Sequence, residues 1–124
     1  MLKRVDLILA GLLVALGVLH TVLTPVFHAL YSLQSLWFAG TGLALLFLGL
    51  LQWLRISNLT IASASISFGA ALTLAIVFLL VSFKLHGWLG FSVTGLIAAS
   101  VFTSFISILQ AKSLRQPAAD PVSA

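Results

Sequence analysis

The chain contains no cysteine and no glutamate, and its only acidic residues are Asp6 and Asp120. Without cysteine there is no disulfide framework, no thiolate metal centre and no thiol nucleophile. With so few carboxylates, a hydrolytic triad would lack its acidic member, and paired-carboxylate acid–base chemistry is excluded. Neither a P-loop nor a dinucleotide-binding fingerprint occurs. Charge of either sign is scarce: 6% of the 124 residues are charged, where soluble domains carry about 25%.

What is present is apolar. Hydrophobic residues make up 61% of the chain, and the mean hydropathy is +1.24. A chain this short leaves a large share of its surface outside any core, so water is the wrong solvent for it and a bilayer the right one. The net charge of +4 does not indicate a nucleic-acid partner. Such binders gather Lys and Arg into a patch, whereas here they stand singly or in pairs at the ends of apolar runs.

Four such runs predict four membrane spans, at about 5–23, 36–54, 59–83 and 91–109. At roughly 1.5 Å rise per residue each covers the ~30 Å hydrocarbon layer. The basic, then apolar, N-terminus has the outline of a signal peptide, but no small-x-small cleavage site follows it, so it is read as an uncleaved first helix. Thr24-Pro25 is expected to end that span. Asn58 is expected to cap the third, and Lys84–Gly90 to form a loop before the fourth. The expected fold is all-α, an integral membrane antiparallel four-helix bundle over 1–111. A polar, disordered tail is expected at 112–124. Between the first two spans, residues 25–35 (PVFHALYSLQS) suit a short interfacial helix or an apolar loop.

Orientation follows from the basic residues. Lys3, Arg4, Arg55, Lys112 and Arg115 fall on one side and Lys84 on the other, which places both termini in the cytoplasm. The membrane is expected to be a bacterial inner membrane. No ionisable residue lies near the middle of a span. Asp6, beside Lys3 and Arg4, is expected to be an interfacial salt-bridged residue. The missing intramembrane charge argues against a small homo-oligomeric transporter.

Helix association in lipid relies on small residues that let backbones approach. The third span offers Ser63, Ser67, Ala71 and Ala75, and the fourth Gly95, Ala99, Thr103 and Ser107, each at spacings of four that share a face. The first two spans have shorter versions, Gly11 with Ala15 and Gly40 with Ala44. Packing seams are the preferred reading of these stripes; a polar pathway or a homodimer interface is the sharper one.

The candidate ligand-binding residues gather at the non-cytoplasmic face: His20, Thr24, His28, Tyr31, Trp37, His86 and Trp88, with Thr21 and Gln34 nearby. Three imidazoles on one face suit a transition metal or haem, so His20, His28 and His86 are the metal candidates, His20 being the deepest. Against a metal, their spacing matches no ligand motif and no carboxylate is at hand to orient an imidazole. Amphipathic rings also favour the headgroup region without any ligand.

Two families of similar size provide a comparison. Small multidrug-resistance transporters depend on a glutamate in the first of four helices, and this chain has none. Phe102-Thr103-Ser104-Phe105 resembles the threonine–phenylalanine signature of fluoride channels, but the rest of that glycine-rich pattern, with its buried asparagine, is missing. The run from Leu19 to Leu51 resembles small bacterial membrane proteins, which implies no particular activity. The expectation is a non-enzymatic membrane protein, either a subunit of a larger assembly or an apolar-ligand binder with an outer-facing polar mouth. The alternatives are a haem or metal protein and a transporter. The partners expected are the lipid bilayer and either a second copy or a membrane partner subunit, with no nucleic acid.

Overall fold

A computed structural model describes residues 2–27, 32–85 and 88–114, excepting the side chains of Leu2, Leu85 and Leu89. Four helices account for almost all of it: α1 (Leu2–Phe27), α2 (Leu33–Ser57), α3 (Ile61–Leu85) and α4 (Trp88–Ser113). All four are long and apolar enough to cross a membrane. With an apolar exterior, they make this an integral membrane bundle.

Every helix outruns its expected span, and local chemistry explains each extension. Pro25 lies inside α1. It removes one backbone N–H and crowds the carbonyl one turn back, but so close to the end only one bond is lost. In the preceding turns the Thr21 and Thr24 hydroxyls donate to the Gly17 and His20 carbonyls, both at 2.9 Å. The helix therefore continues to Phe27 rather than stopping before the proline, and no separate interfacial helix starts at Pro25. His28 to Tyr31, the centre of that expected segment, lie outside the described residues.

Helix α2 opens on Ser32, whose hydroxyl accepts from Ser35 N at 3.0 Å. At its other end Asn58 is the C-cap, its N–H donating to the Leu54 carbonyl at 2.9 Å. The expectation that Asn58 caps α3 is thus corrected. Thr60 takes that role through a reciprocal pair, Ser63 N donating to Thr60 Oγ1 and Thr60 N to Ser63 Oγ, both at 3.0 Å. The expected loop at 84–90 is also shorter. Lys84 and Leu85 complete α3, Trp88 opens α4, and His86 and Gly87 lie outside the described residues. Of the expected tail, Lys112 and Ser113 are still helical, whereas 115–124 lie outside the described residues.

The bundle is built from two antiparallel hairpins. Helix α1 runs closely along α2, and α3 along α4. The hairpins meet more sparingly, through α2 with α3 and α1 with α4. Glycine sets the first hairpin. A Cβ on Gly17 would lie 2.5 Å from Leu46 N, and one on Gly42 2.5 Å from Thr21 Oγ1 and 2.9 Å from the Gly17 carbonyl. On Gly49 it would lie 2.9 Å from the Ala10 carbonyl. The buried positions Asp6, Ala10, Leu13 and Gly17 step by four, three and four, the 3.5-residue period of helices that pack nearly side by side. Gly11 and Gly40, the expected small residues of this hairpin, have nothing within 4 Å of an added Cβ. The real seam is one face round.

Polarity is distributed opposite to a soluble bundle. Large apolar side chains such as Ile8, Val22, Phe47, Leu80 and Phe102 point outward, where lipid receives them. At mid-height the axis is closed by Leu13, Leu45, Leu48, Ala71 and Ile97, packed against Leu16, Leu74 and Phe78. Above and below this layer, the interior is lined by hydroxyls and by one charged cluster.

A candidate functional site at each end of the bundle

The charged cluster lies near the end that holds both termini. Arg55, in the last turn of α2, is buried to 1% exposure despite its length and charge. A long cation near a helix end ordinarily extends to the interface; this one turns inward because five acceptors await it. Its Nε donates to Gln52 Oε1 at 3.0 Å. Its Nη1 donates to the Thr103 carbonyl at 3.1 Å and to Ser107 Oγ. Its Nη2 reaches Thr103 Oγ1 at 3.4 Å and forms an ion pair with Asp6 Oδ1 at 3.0 Å. Five N–H groups thus meet five acceptors on three helices, which the planar guanidinium fork permits and a lysine would not.

The surroundings complete the cluster. Ser104 Oγ donates to Gln52 Oε1 at 3.1 Å, and Ser107 Oγ to the Thr103 carbonyl at 2.9 Å. Gln52 Nε2 is buried and donates to nothing among the described residues. Asp6 Oδ1 holds the guanidinium by charge, without a hydrogen bond of good alignment. One other polar contact joins the hairpins on this side, from Ser67 Oγ to the Leu51 carbonyl at 3.2 Å. Asp6 is salt-bridged, as expected, but its partner is Arg55 across the helix interface rather than Lys3 or Arg4, which are exposed.

The small-residue stripes fall partly on this cluster. Thr103 and Ser107 are buried against Arg55, Ser67 and Ala71 are buried, and Ser63 serves the α3 cap. Ala75 and Ala99 are half-buried, and Gly95 is exposed, with nothing within 4 Å of an added Cβ. Gln52 and Ser104 were not singled out in the sequence. Their signal is the i, i+3 step from Gln52 to Arg55 facing a run of hydroxyls at 100, 103, 104 and 107.

At the opposite end, His20 stacks on Phe38 with ring centroids 4.0 Å apart and planes 16° from parallel. Thr24 is buried in the next turn. Trp37 and Trp88 are 69% and 75% exposed, so both face outward rather than into a closed mouth. His28, Tyr31 and His86 lie outside the described residues. Among the described residues no three metal-ligating side chains come together.

Beside His20 and Phe38 an open groove of about 300 Å³ runs between α2 and α3, where the hairpins meet sparingly. Leu36, Trp37, Gly40 and Ala44 form one wall, and Leu74, Val77 and Phe78 the other. Its hydroxyl, Thr41 Oγ1, is already committed to the Trp37 carbonyl at 2.9 Å. The groove therefore offers hydrocarbon contact and asks for no hydrogen bond. No protein-family model, no curated protein and no solved structure matches this chain.

Proposed function

We propose that this chain is a non-enzymatic protein of a bacterial inner membrane, with both termini cytoplasmic, that binds an apolar chain between its two hairpins. The groove walled by Trp37, Gly40, Ala44, Leu74 and Phe78 carries this reading, because its one hydroxyl is internally satisfied. Ligand sites of this kind are concave and mostly apolar, with a few polar groups to fix orientation. His20, Thr24, His28, Tyr31, His86 and Trp88 would supply those polar groups as a rim. The orientation rests on Lys3, Arg4 and Lys112, exposed at the end shared with Asp6 and Arg55, against Lys84 at the other. A transporter gains little support from the Asp6–Arg55 pair. The apolar layer of Leu13, Leu45, Leu48 and Ile97 separates that cluster from the far end.

Trp37 provides the test. In a variant with Trp53→Phe and Trp88→Phe, Trp37 is the only tryptophan, and a brominated single-chain fatty acid should quench it saturably. Gly40→Leu, which fills the open wall, should abolish saturation. Quenching that rises linearly with bulk lipid bromination, unchanged by Gly40→Leu, would mean ordinary lipid contact and no site.

A further inference from the structure

The buried network at the Arg55 end is closed on the cation's side and open on the amide's. Gln52 is 1% exposed, and its Oε1 accepts twice, from Arg55 Nε and Ser104 Oγ. Those two bonds fix the orientation of the carboxamide. Turning it over would set Nε2 against two donors, so Nε2 must point away from them. It is then a fully buried donor with no acceptor among the described residues, a state that native interiors rarely tolerate. A site with little water nearby makes that omission more costly.

The geometry of the guanidinium says where an acceptor lies. Nε and Nη2 flank one edge of the fork and their N–H bonds run almost parallel. Gln52 Oε1 sits on the first at 3.0 Å and Asp6 Oδ1 on the second at 3.0 Å. The carboxamide of Gln52 and the carboxylate of Asp6 are therefore neighbours on the same edge. One offers a spare donor and the other spare acceptor capacity, since Asp6 Oδ1 carries no well-aligned hydrogen bond. A narrow edge of Asp6, 7% of its side chain, remains exposed and gives a small molecule a way in.

We infer that this edge is a binding site for one long-lived water molecule, which accepts from Gln52 Nε2 and donates to Asp6. Water is the ligand because the site needs a group that both accepts and donates within a space too small to register as a cavity. Buried waters of this kind make two to four hydrogen bonds to groups the protein leaves unmatched. The water completes a network spanning α1, α2 and α4, and makes Gln52 a bridge between Arg55 and Asp6 rather than a support for Arg55 alone. It is independent of the groove at the other end, so either proposal can fail without the other.

The test is solution NMR of the full chain, nitrogen-15 labelled at glutamine, in small detergent micelles. The Gln52 carboxamide is assigned by its loss in Gln52→Met and, should that variant not fold, in Gln52→Glu. Cross-peaks between its two protons and water are then recorded in laboratory-frame and rotating-frame experiments. Opposite signs in the two experiments identify a resident water; equal signs identify chemical exchange. The expected result is opposite signs for Gln52 and equal signs for the exposed Gln110. In Asp6→Ala, which removes the second partner, the Gln52 cross-peak should be lost. Equal signs or no cross-peak at Gln52 in the unmodified chain would overturn the assignment. So would a Gln52 cross-peak of undiminished strength in Asp6→Ala, since the water would then not bridge the two.

Discussion

Severing the Asp6–Arg55 pair from one side should cost more than removing it whole. Their side chains are 7% and 2% exposed and meet at 3.0 Å, so little solvent is present to screen a charge left behind. Breaking a buried pair by truncating one partner typically costs about 3–5 kcal/mol, whereas replacing both with apolar groups is often neutral or better. Two features of this site move the figure. Interhelical hydrogen bonds in membranes average only about 0.6 kcal/mol, because the unfolded helices also find partners. Arg55 stands in the last turn of α2 and could reach the interface once unpacked, which lowers the cost further. Asp6→Ala is therefore expected to destabilise by about 2–3 kcal/mol and Arg55→Met by a similar amount. The double variant should lose no more than either single one, giving a coupling of about 2 kcal/mol. The assay is unfolding of the full chain by sodium dodecyl sulfate in mixed micelles, followed by circular dichroism. Additivity within ~0.5 kcal/mol would refute the pairing, because uncoupled sites behave in that way.

Three further perturbations probe other parts of the structure. Arg55→Lys keeps the charge but supplies three donors where five are used, so it should destabilise by about 1–3 kcal/mol in the same titration; a wild-type midpoint would show that charge alone suffices. Gly42→Ala, whose Cβ would sit 2.5 Å from Thr21 Oγ1 and 2.9 Å from the Gly17 carbonyl, should cost about 1–3 kcal/mol. Gly11→Ala, with nothing within 4 Å, should be neutral or stabilising by up to about 1 kcal/mol, and equal effects of the two would sink the assigned seam. For orientation, the absence of cysteine allows single-cysteine labelling without background. Gln34→Cys should react with an impermeant maleimide in intact cells and Ser113→Cys only after permeabilisation; the reverse pattern would invert the topology.

The four helices were legible because length and hydropathy are one-dimensional quantities. Their ends were less so, since each depends on which backbone groups find a side-chain partner. Pro25 reads as a stop, yet only one α1 hydrogen bond is lost at that depth, and the helix runs on to Phe27. Asn58 and Thr60 are both capping residues two positions apart. What distributes their roles is the Ser63 hydroxyl, which closes the reciprocal pair with Thr60 and also donates to the Asn58 carbonyl at 2.8 Å. The packing seams show the same limit. Gly11 and Gly17 carry the same composition signal, and only the partner helix decides which of them faces it.

Arg55 shows why the charged cluster was hidden although every member was in view. In one dimension Arg55 is a basic residue at the end of an apolar run, as Lys112 is, and the positive-inside rule treats them alike. What separates them is the distance to a carboxylate on another helix. In an antiparallel hairpin, residues close to the start of α1 come level with residues close to the end of α2. That relation puts Asp6, four residues into α1, beside Arg55, two residues before the end of α2. Gln52 and Ser107 then follow from the three- and four-residue steps that share a helix face. An acidic residue early in one span and a basic residue late in the next are a pair to test before either is counted as topological. Here that step removes Arg55 from the charges that set orientation and makes it the residue on which three helices meet.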